Sequence, residues 1–251
     1  MGALLLATLF MVACSRHDAS IPIVTAVPNF SGYASNHEKK RAFVDFLTPI
    51  IVDENKKIAQ DRLFLLGMKQ KYQAQINFSS AQKKRLSQLA TRYRVDTTIE
   101  DPLFWSTLLL RVDGIPPSLA VTQAAIESAW GTSRFALEGN NLFGHWCFNE
   151  GCGIVPNKRK EGKRHEVAKF ESVNKAVEKY LLNLNQLNAY KQLRMIRAQL
   201  RTSEQPVTGQ ALTAGLENYS ELGPHYINKV RKIIAYKIIQ PLDQLSVPKQ
   251  S

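Results

Sequence analysis

The central part of the chain is an apolar segment that carries a single charge. Between Gly114 and Arg134 the only charged side chain is that of Glu127, within the sequence PPSLAVTQAAIESAWG. The two prolines at its start suit a first helical turn, and Gly131 suits a position just past a helix end. The segment therefore predicts a short apolar helix, with one carboxylate near its C-terminal end, around which the rest of the chain is organised.

The position of Glu127 favours a carboxyl group with a raised pKa. Gln123 and Trp130 lie four residues before and three residues after it, so on a helix they would share its face. A neighbouring aromatic ring and the negative end of a helix dipole both disfavour the ionised carboxylate. A raised pKa suits a general acid. The alternative is that Glu127 only hydrogen-bonds a neighbouring loop and holds the fold.

Length and charge limit the domain organisation and the class of partner. A chain of 251 residues holds one sizeable domain, or one domain with an extension. The net charge of +12 favours an anionic partner, such as nucleic acid, lipid headgroups or a cell-wall polymer. The basic residues are scattered in short groups without an aromatic–basic RNA-binding pattern, so no nucleic acid partner is expected. A solvated basic surface is the other interpretation.

The N-terminal residues indicate export. Residues 1–13 are almost wholly apolar and too short to span a membrane, as in a signal peptide. The sequence MVAC, which ends at Cys14, resembles a bacterial lipoprotein cleavage box, in which the cysteine becomes lipidated. That resemblance implies a lipid anchor on Cys14, and Ser15 favours the outer membrane, facing the periplasm. No Lys or Arg precedes the apolar run, so either the signal is atypical or the true start lies upstream. The alternative to a lipoprotein signal is an ordinary signal peptide, or a chance cysteine in an apolar segment.

The remaining chain divides into segments of different composition. The predicted segments are a Pro- and Gly-containing tether (14–36), a helical extension (37–100), a mostly α domain (101–242) and a tail (243–251). The first helix of the extension spans 37–72, and Pro49 should kink or split it. Residues 151–156 and 164–170 are predicted to form a hairpin after the central helix. Together these segments predict an α+β, mostly α fold.

The cysteines favour a small disulfide loop. Cys147 and Cys152 enclose four residues, which suits a disulfide in an oxidising compartment. Cys14 is left unpaired, in agreement with lipidation. The alternative is zinc bound by the two cysteines with His145 and His165. No second closely spaced cysteine pair supports that alternative, so we expect neither a metal nor a cofactor.

Common catalytic motifs are absent from the sequence. There is no phosphate-binding GxxxxGK loop, no GxGxxG and no GxSxG, and no triad is evident around Ser128. What remains is carboxylate chemistry in a basic, exported protein. This favours glycoside cleavage, in which a carboxylic acid protonates the leaving oxygen and a second group handles the water or the developing cation.

Three motifs carry a resemblance to a known family. AIESAWGTS around Glu127, NNLFG from Asn140 and NYSELGPHYINKV from Asn218 resemble the endo-β-N-acetylglucosaminidase family of peptidoglycan hydrolases, glycoside hydrolase family 73. The resemblance covers roughly residues 102–241. The cysteine loop and the His165-Glu166 pair are most similar to the bacterial Bax proteins, which carry this domain.

The resemblance implies a fold, an activity and a set of site residues. The fold would be lysozyme-like, with the hairpin as a small lobe beside a cleft. The activity would cut peptidoglycan glycan strands between N-acetylglucosamine and N-acetylmuramic acid, with Glu127 as general acid and Tyr219 orienting water or stabilising the cation-like transition state. The implied substrate-binding residues are Gln123, Asn141, Phe143, Trp146 and Tyr226. Tyr219 and Trp146 have purely structural alternatives as buried residues.

The chain departs from the family pattern at the second acid. Many members carry that acid on the first strand of the hairpin, where this sequence reads IVPNKR. Glu166, on the returning strand, is the nearest substitute, and strand alternation places it on the face of Ala168 and Phe170. It could instead form a salt bridge.

The alternatives to a monomeric glucosaminidase are a muramidase or lytic transglycosylase, and a peptidoglycan-binding scaffold lipoprotein without activity.

Overall fold

The computed structural model describes residues 21–157, 159, 162 and 164–245. The predicted signal peptide and Cys14 lie outside the described residues. The helices are α1 (Asn36–Gln73), α2 (Ser80–Arg92), α3 (Pro102–Arg111), α4 (Pro117–Glu127), α5 (Arg134–Gly139), α6 (Val173–Gln186), α7 (Lys191–Thr202), α8 (Gly209–Leu212) and α9 (Pro224–Ile234). The strands are β1 (Trp146–Cys147), β2 (Gly153–Ile154) and β3 (Glu166–Ala168). This is the predicted α+β, mostly α architecture.

Helix α1 runs without a break through Pro49. Its first turn is closed by a capping box between Ser35 and Glu38. On both sides of the proline the apolar side chains are buried: Leu47, Ile50 and Ile51 are each at most 1% exposed. Burying such side chains contributes roughly 1.5–3 kcal/mol each, which together exceeds the ~3 kcal/mol cost of an internal proline. The predicted split therefore does not occur.

The chain before α1 packs against the domain, so residues 21–33 are not a free tether. Asn140 accepts a hydrogen bond from the Val27 amide at 3.2 Å and donates one to the Thr25 carbonyl at 2.9 Å. The Phe30 ring is 1% exposed and lies edge-on to Phe43. Apart from a 3-10 turn at Phe30–Gly32, this segment has no regular secondary structure, and its bonds join it to distant residues. Composition alone could therefore not distinguish it from a linker.

Helix α4 lies at the centre of the fold, as the sequence predicts, and packs against α1, α8 and α9. The residue at its N-cap position, Pro116, makes no side-chain capping bond. Asp243 supplies the cap from the other end of the chain, accepting the Ser118 amide at 3.1 Å and the Gly209 amide at 2.8 Å. The tail predicted from the sequence includes Asp243, whereas in the structure this residue fixes the N-terminal ends of two helices.

The predicted hairpin is present, since β2 pairs antiparallel with β3. Strand β1 adds a third strand on the other side of β3, which gives the order β1-β3-β2. Val167 of β3 lies opposite Trp146 on one side and Ile154 on the other. Cys147 and Cys152 form the predicted disulfide, which closes the loop between β1 and β2. We call this sheet with its disulfide loop, residues 146–168, the small lobe.

The helical extension and the domain share one hydrophobic core, which includes residues of α1, α2, α3, α4, α6 and α9. They are also joined by a buried charge cluster around Asp113, which is 4% exposed. Arg62 of α1 lies 3.8 Å from the Asp113 carboxylate, Arg197 of α7 lies 3.6 Å from it, and Arg201 binds it with two hydrogen bonds. Within the described residues, no helix has the combined length and apolar character needed to cross a membrane.

Candidate active site

Glu127 is the last residue of α4, and its side chain is half-buried beside the turn that contains Gly144. A Cβ atom placed on Gly144 would lie 3.5 Å from the Glu127 Oε2 atom, in ordinary van der Waals contact. Gly144 itself is exposed, and its φ of 69° is in the left-handed region that glycine tolerates best. Gly144, which has no side chain, therefore lies next to the Glu127 carboxyl group on a surface that is open to solvent.

On its buried side, Glu127 ends a chain of hydrogen bonds. Its carboxyl group is hydrogen-bonded to the Tyr226 side chain. The Tyr226 hydroxyl accepts a bond from Gln123 Nε2 at 3.0 Å, and the Tyr180 hydroxyl donates to Gln123 Oε1 at 2.7 Å. Gln123 is fully buried, and Tyr226 is 2% exposed. These two predicted substrate-binding residues therefore lie behind Glu127.

Burial raises the pKa of Glu127 above the ordinary value of 4.5, although the Tyr226 hydrogen bond and the charge of Lys229 act in the opposite direction. A carboxyl group in this condition holds its proton to higher pH than an exposed glutamate. It is therefore suited to donate a proton to a leaving group. The sequence also predicts a raised pKa for Glu127, but from a neighbouring aromatic ring and the helix dipole. In the structure the principal cause of the raised pKa is burial.

The turn after Glu127 does not continue the helix, and this corrects the expected position of Trp130. Ala129, Trp130 and Gly131 take left-handed φ values of 52°, 60° and 77°. The Trp130 ring packs edge-on to Phe43 and stacks on Tyr236. It therefore does not share a helical face with Glu127. A run of left-handed residues costs free energy and is found most often beside functional groups.

Tyr219 lies next to this network. Its hydroxyl donates to the Phe143 carbonyl at 3.2 Å, and its ring stacks on Tyr226 with centroids 5.3 Å apart. Burial raises the pKa of Tyr219 well above the ordinary value, so the hydroxyl keeps its proton. The fold thus brings the motif around Glu127 next to the motif that begins at Asn218, with Tyr226 and the turn at Phe143 between them.

Two further predicted substrate-binding residues, Asn141 and Phe143, are buried in that turn, each 2% exposed. The Asn141 amide donates to the His145 and Ala168 carbonyls, both at 2.9 Å, and accepts the His145 amide at 3.0 Å. The Phe143 ring stacks on Tyr180 with centroids 4.1 Å apart. Both side chains shape the turn next to Glu127 from inside the protein.

Glu166 points into the disulfide loop. Its two carboxylate oxygens accept the amides of Gly151 at 3.1 Å and Gly153 at 2.8 Å, and the residue is 5% exposed. Within the described part of the chain, neither the hydrogen bonds nor the charges that act on Glu127 involve Glu166. Glu166 is therefore not hydrogen-bonded to Glu127, and both of its oxygens have other partners.

Trp146 is the one residue of the predicted substrate-binding set whose side chain is exposed in the described structure. It is 57% exposed, and its ring stacks on His165 with centroids 4.3 Å apart. Phe148, two residues further along in the disulfide loop, is 72% exposed. The small lobe thus presents exposed aromatic side chains to solvent, which excludes the purely structural alternative of a buried Trp146.

The zinc set considered from the sequence does not assemble in the described residues. The group within ligand reach is Cys147, Cys152 and Glu166, and the disulfide consumes both thiols. His145 Nδ1 lies 3.4 Å from the Asn183 amide nitrogen, and burial lowers the pKa of His145 to about 4. His165 stacks on Trp146.

Sequence reasoning missed two parts of the site. The spacing of Tyr180 in the sequence predicts only a residue on the apolar face of α6, because a tyrosine at helical spacing has the same pattern as a core residue. Gly144 is the last residue of the NNLFG motif, and a glycine that ends a turn next to a candidate acid is a usable signal for close approach. Neither pattern could indicate the hydrogen bond from Tyr180 to Gln123, which joins residues 57 positions apart.

Comparison with known proteins agrees with this geometry. A family model described as mannosyl-glycoprotein endo-β-N-acetylglucosaminidase matches residues 107–237, a range that contains Glu127, Tyr219 and Tyr226. The chain is 39% identical over 207 residues to protein bax of Escherichia coli strain K12, covering 81% of this chain and 72% of that protein. No solved structure matches the chain significantly. The chain therefore belongs to the glucosaminidase-domain family of glycan-hydrolysing enzymes, is similar to the bacterial Bax proteins, and has the lysozyme-like, mostly α fold of this domain.

Proposed function

We propose that this protein is a peptidoglycan hydrolase, an endo-β-N-acetylglucosaminidase that cuts the glycan strand between N-acetylglucosamine and N-acetylmuramic acid. The observation that carries the proposal is Glu127, a half-buried carboxyl group with a raised pKa beside the exposed backbone of Gly144. The stem peptides of peptidoglycan carry carboxylates, which suit a protein with a net charge of +12.

The reaction begins with proton transfer from Glu127 to the glycosidic oxygen. As the bond between that oxygen and the anomeric carbon breaks, its electron pair leaves with the departing sugar, and positive charge develops on the N-acetylglucosamine ring. Water then supplies the new hydroxyl group at the anomeric carbon. The proton that this water loses restores the Glu127 carboxyl group.

We propose that a group of the substrate itself, and not a second carboxylate of the protein, assists at the anomeric carbon after proton transfer. Among the described residues, the hydrogen bonds and charges acting on Glu127 come from Tyr226 and Lys229, and neither is a carboxylate. We therefore favour attack by the carbonyl oxygen of the substrate's own N-acetyl group, followed by hydrolysis of the resulting cyclic intermediate. Direct attack by water is the other route. Tyr219, which stays protonated, turns its oxygen lone pairs to the developing cation or to the water.

The exposed aromatic surface of the small lobe supports a role in holding the sugar. We propose that Trp146 stacks on a sugar ring, and that Glu166 keeps the lobe in shape rather than reacting. Both carboxylate oxygens of Glu166 are already hydrogen-bonded to the disulfide loop.

We also propose that the protein is exported and anchored to the outer membrane as a monomer through a lipid on Cys14, which would place it beside peptidoglycan. Replacing Cys14 with Ser should move the protein from the membrane fraction to the soluble periplasmic fraction. Retention of the Cys14→Ser variant in the membrane fraction would contradict a lipid anchor.

The glycan products distinguish the proposed reaction from its closest rivals. Purified sacculi are digested, the new ends are reduced with borohydride, and the fragments are analysed by mass spectrometry. A glucosaminidase leaves reduced N-acetylglucosamine at the new end, whereas a muramidase leaves reduced N-acetylmuramic acid. A lytic transglycosylase leaves an anhydro end that borohydride does not reduce. Either of the last two products would overturn the proposed bond specificity.

The non-catalytic alternative rests on the absence of an acid from the first strand of the predicted hairpin. A scaffold protein would sediment with sacculi and release no fragments. The same digestion therefore tests it, provided that the bound and released fractions are measured together.

A further inference from the structure

Tyr190, in the connection between α6 and α7, lies next to the candidate site, although none of the three sequence motifs includes it. Its ring centroid lies 5.9 Å from that of Tyr219, and the two ring planes are tilted by 41°. The Tyr219 hydroxyl donates to the Phe143 carbonyl at 3.2 Å. Gly144, the next residue, lies against the Glu127 carboxyl group. A continuous path of neighbouring groups therefore links Tyr190 to the candidate acid.

A bond between neighbouring residues keeps the two tyrosine rings side by side. The Asn218 side-chain amide donates to the Ala189 carbonyl at 3.4 Å. These residues immediately precede Tyr219 and Tyr190 in the sequence, so the bond joins the two segments that carry the rings. The connection between α6 and α7 is thereby held against the motif that begins at Asn218.

The same connection is shaped from inside by a buried guanidinium group. Arg194 is 2% exposed, and its Nη1 atom donates to the carbonyls of Leu184 at 2.9 Å and Leu187 at 2.8 Å, at the C-terminal end of α6. Burial, followed by the charges of two other arginines, lowers the pKa of Arg194 to about 10. A buried cation that carbonyls hold lowers stability, and the negative end of the helix dipole offsets only part of this cost. The rigid connection fixes the position of Tyr190 before a ligand arrives, which reduces the ordering cost of binding.

The Tyr190 side chain is half-buried, and its hydroxyl is available to a ligand. Within the described residues the hydroxyl makes no hydrogen bond, and it is not one of the enclosed polar atoms that lack a partner. Burial, followed by the charge of Glu127, raises the pKa of Tyr190, so the hydroxyl keeps its proton and can donate. The hydroxyls of Tyr219 and Tyr226 already have partners inside the protein.

We propose that Tyr190 is a substrate-binding residue, which packs its ring against the N-acetylglucosamine whose glycosidic bond is cut. This inference rests on the proposed function, in which positive charge develops on that sugar beside Tyr219. A tyrosine combines a flat apolar face, which fits the CH groups of a sugar ring, with a hydroxyl that can donate to a sugar oxygen or an acetamido carbonyl. Trp146, which is 57% exposed on the small lobe, then holds a different sugar of the same strand. Two aromatic contacts on separate elements suit an enzyme that cuts within a strand.

The test uses the full-length Glu127→Gln protein, which binds without turnover, and the N-acetylglucosamine tetramer as a soluble probe. Tyrosines are labelled with 13C, and the Tyr190 ring signal is assigned by its absence when Tyr190→Phe is added. We expect intermolecular nuclear Overhauser effects between the Tyr190 ring protons and the sugar. By calorimetry, Tyr190→Ala in the same background should weaken probe binding about 5- to 10-fold. Tyr72→Ala, which removes a 39% exposed tyrosine at the end of α1, is the matched control and should leave the Kd unchanged.

A purely structural role for Tyr190 gives different results. If its ring only supports Tyr219, no Overhauser effect connects it to the bound probe, and that result would overturn the inference. An unchanged Kd in Tyr190→Ala would do the same, as would a Glu127→Gln protein that does not bind the probe at millimolar concentration. If Tyr190→Ala does not fold, the Overhauser measurement still decides the question, because Tyr190→Phe keeps the ring. Probe binding needs no turnover, so sacculi that the wild type leaves undigested would contradict the proposed function alone.

Discussion

At the residue scale, Glu127 combines features that favour reactivity over stability. Burial raises its pKa, so the folded protein binds the Glu127 proton more strongly than the unfolded chain does. The resulting stabilisation is present below the unfolded pKa, near 4.5, and is lost as the pH rises through the higher folded value. At neutral pH the ionised side chain therefore lowers the free energy of unfolding.

Glu127→Gln should accordingly raise the melting temperature at pH 7 and change it little at pH 4, because the amide carries no charge to bury. Thermal unfolding followed by circular dichroism at the two pH values measures the difference. A melting temperature at pH 7 equal to or below that of the wild type would mean that the carboxylate is well solvated in the folded protein.

Gly144→Ala should reduce turnover of sacculi more than it reduces stability. Its φ of 69° makes alanine cost about 1–2 kcal/mol, and the new methyl group would lie against Glu127 Oε2. Gly162→Ala is the control, since its φ of 77° carries the same strain and its Cβ would meet no described atom within 4 Å. Equal turnover in the two variants would show that the space over Glu127 is not needed by the substrate.

At the element scale, the small lobe is held by the disulfide and by Glu166. Glu166→Gln leaves one acceptor oxygen where two loop amides now bind, so we expect a loss of about 1–3 kcal/mol and a looser loop. Turnover at low substrate concentration should fall mainly because KM rises, since Trp146 loses its fixed position and binds the sugar less tightly. Steady-state kinetics and urea unfolding measure the two effects. A large loss of kcat with unchanged stability and KM would instead assign Glu166 a direct catalytic role, as the sequence suggests.

The sequence predicted elements well where local signals determine their ends. The Asp101-Pro102 pair predicts a helix from Pro102 to Arg111, and α3 has these bounds because Asp101 caps its first turn and Pro102 occupies the first helical position. A serine at position 79 or 80 likewise predicts the start of a second helix, and Ser79 caps α2. The predictions failed where distant residues decide the structure. Strand β1 forms because it pairs with β3, which lies about twenty residues further along the chain, and residues 21–33 are fixed by bonds to Asn140 and Asn174.

The site shows the same limit. Glu127 and Tyr219 were identified by motifs, and the fold places both beside the Phe143–Gly144 turn. Burial could not be read from those motifs, because Gln123, Asn141 and Tyr226 are polar residues that the fold encloses by packing α4, α9 and the turn together. The sequence predicts that these residues contact the substrate, and only the three-dimensional structure shows that they form hydrogen bonds inside the protein.

At the scale of the whole molecule, the charge cluster around Asp113 ties the extension to the domain. Burial on its own would raise the pKa of Asp113, but Arg197, Arg62 and Arg201 hold it below the ordinary value of 3.8. The stabilisation from this depressed pKa is present above pH 3.8 and is lost as the pH falls through the lower folded value. The extension is therefore an integral part of the fold at neutral pH.

Asp113→Asn should lower the free energy of unfolding by about 3–5 kcal/mol at neutral pH, because it leaves buried arginine charge without a counterion. Urea unfolding measures the loss, which should shrink as the pH approaches the range in which Asp113 protonates. Asp96→Asn, at an exposed position, is the control and should change stability by less than about 0.5 kcal/mol. A similarly small effect for Asp113→Asn would mean that the arginines do not depend on this carboxylate.

The central claim is that the Glu127 carboxyl group donates the proton that breaks the glycan strand. The most direct measurement is the rate of fragment release from purified sacculi by Glu127→Gln, beside the wild type and Glu138→Gln, which changes an exposed glutamate on α5. We expect Glu127→Gln to release fragments about 10²–10⁴-fold more slowly while it still sediments with sacculi, and Glu138→Gln to match the wild type. Release by Glu127→Gln at the wild-type rate would contradict the claim.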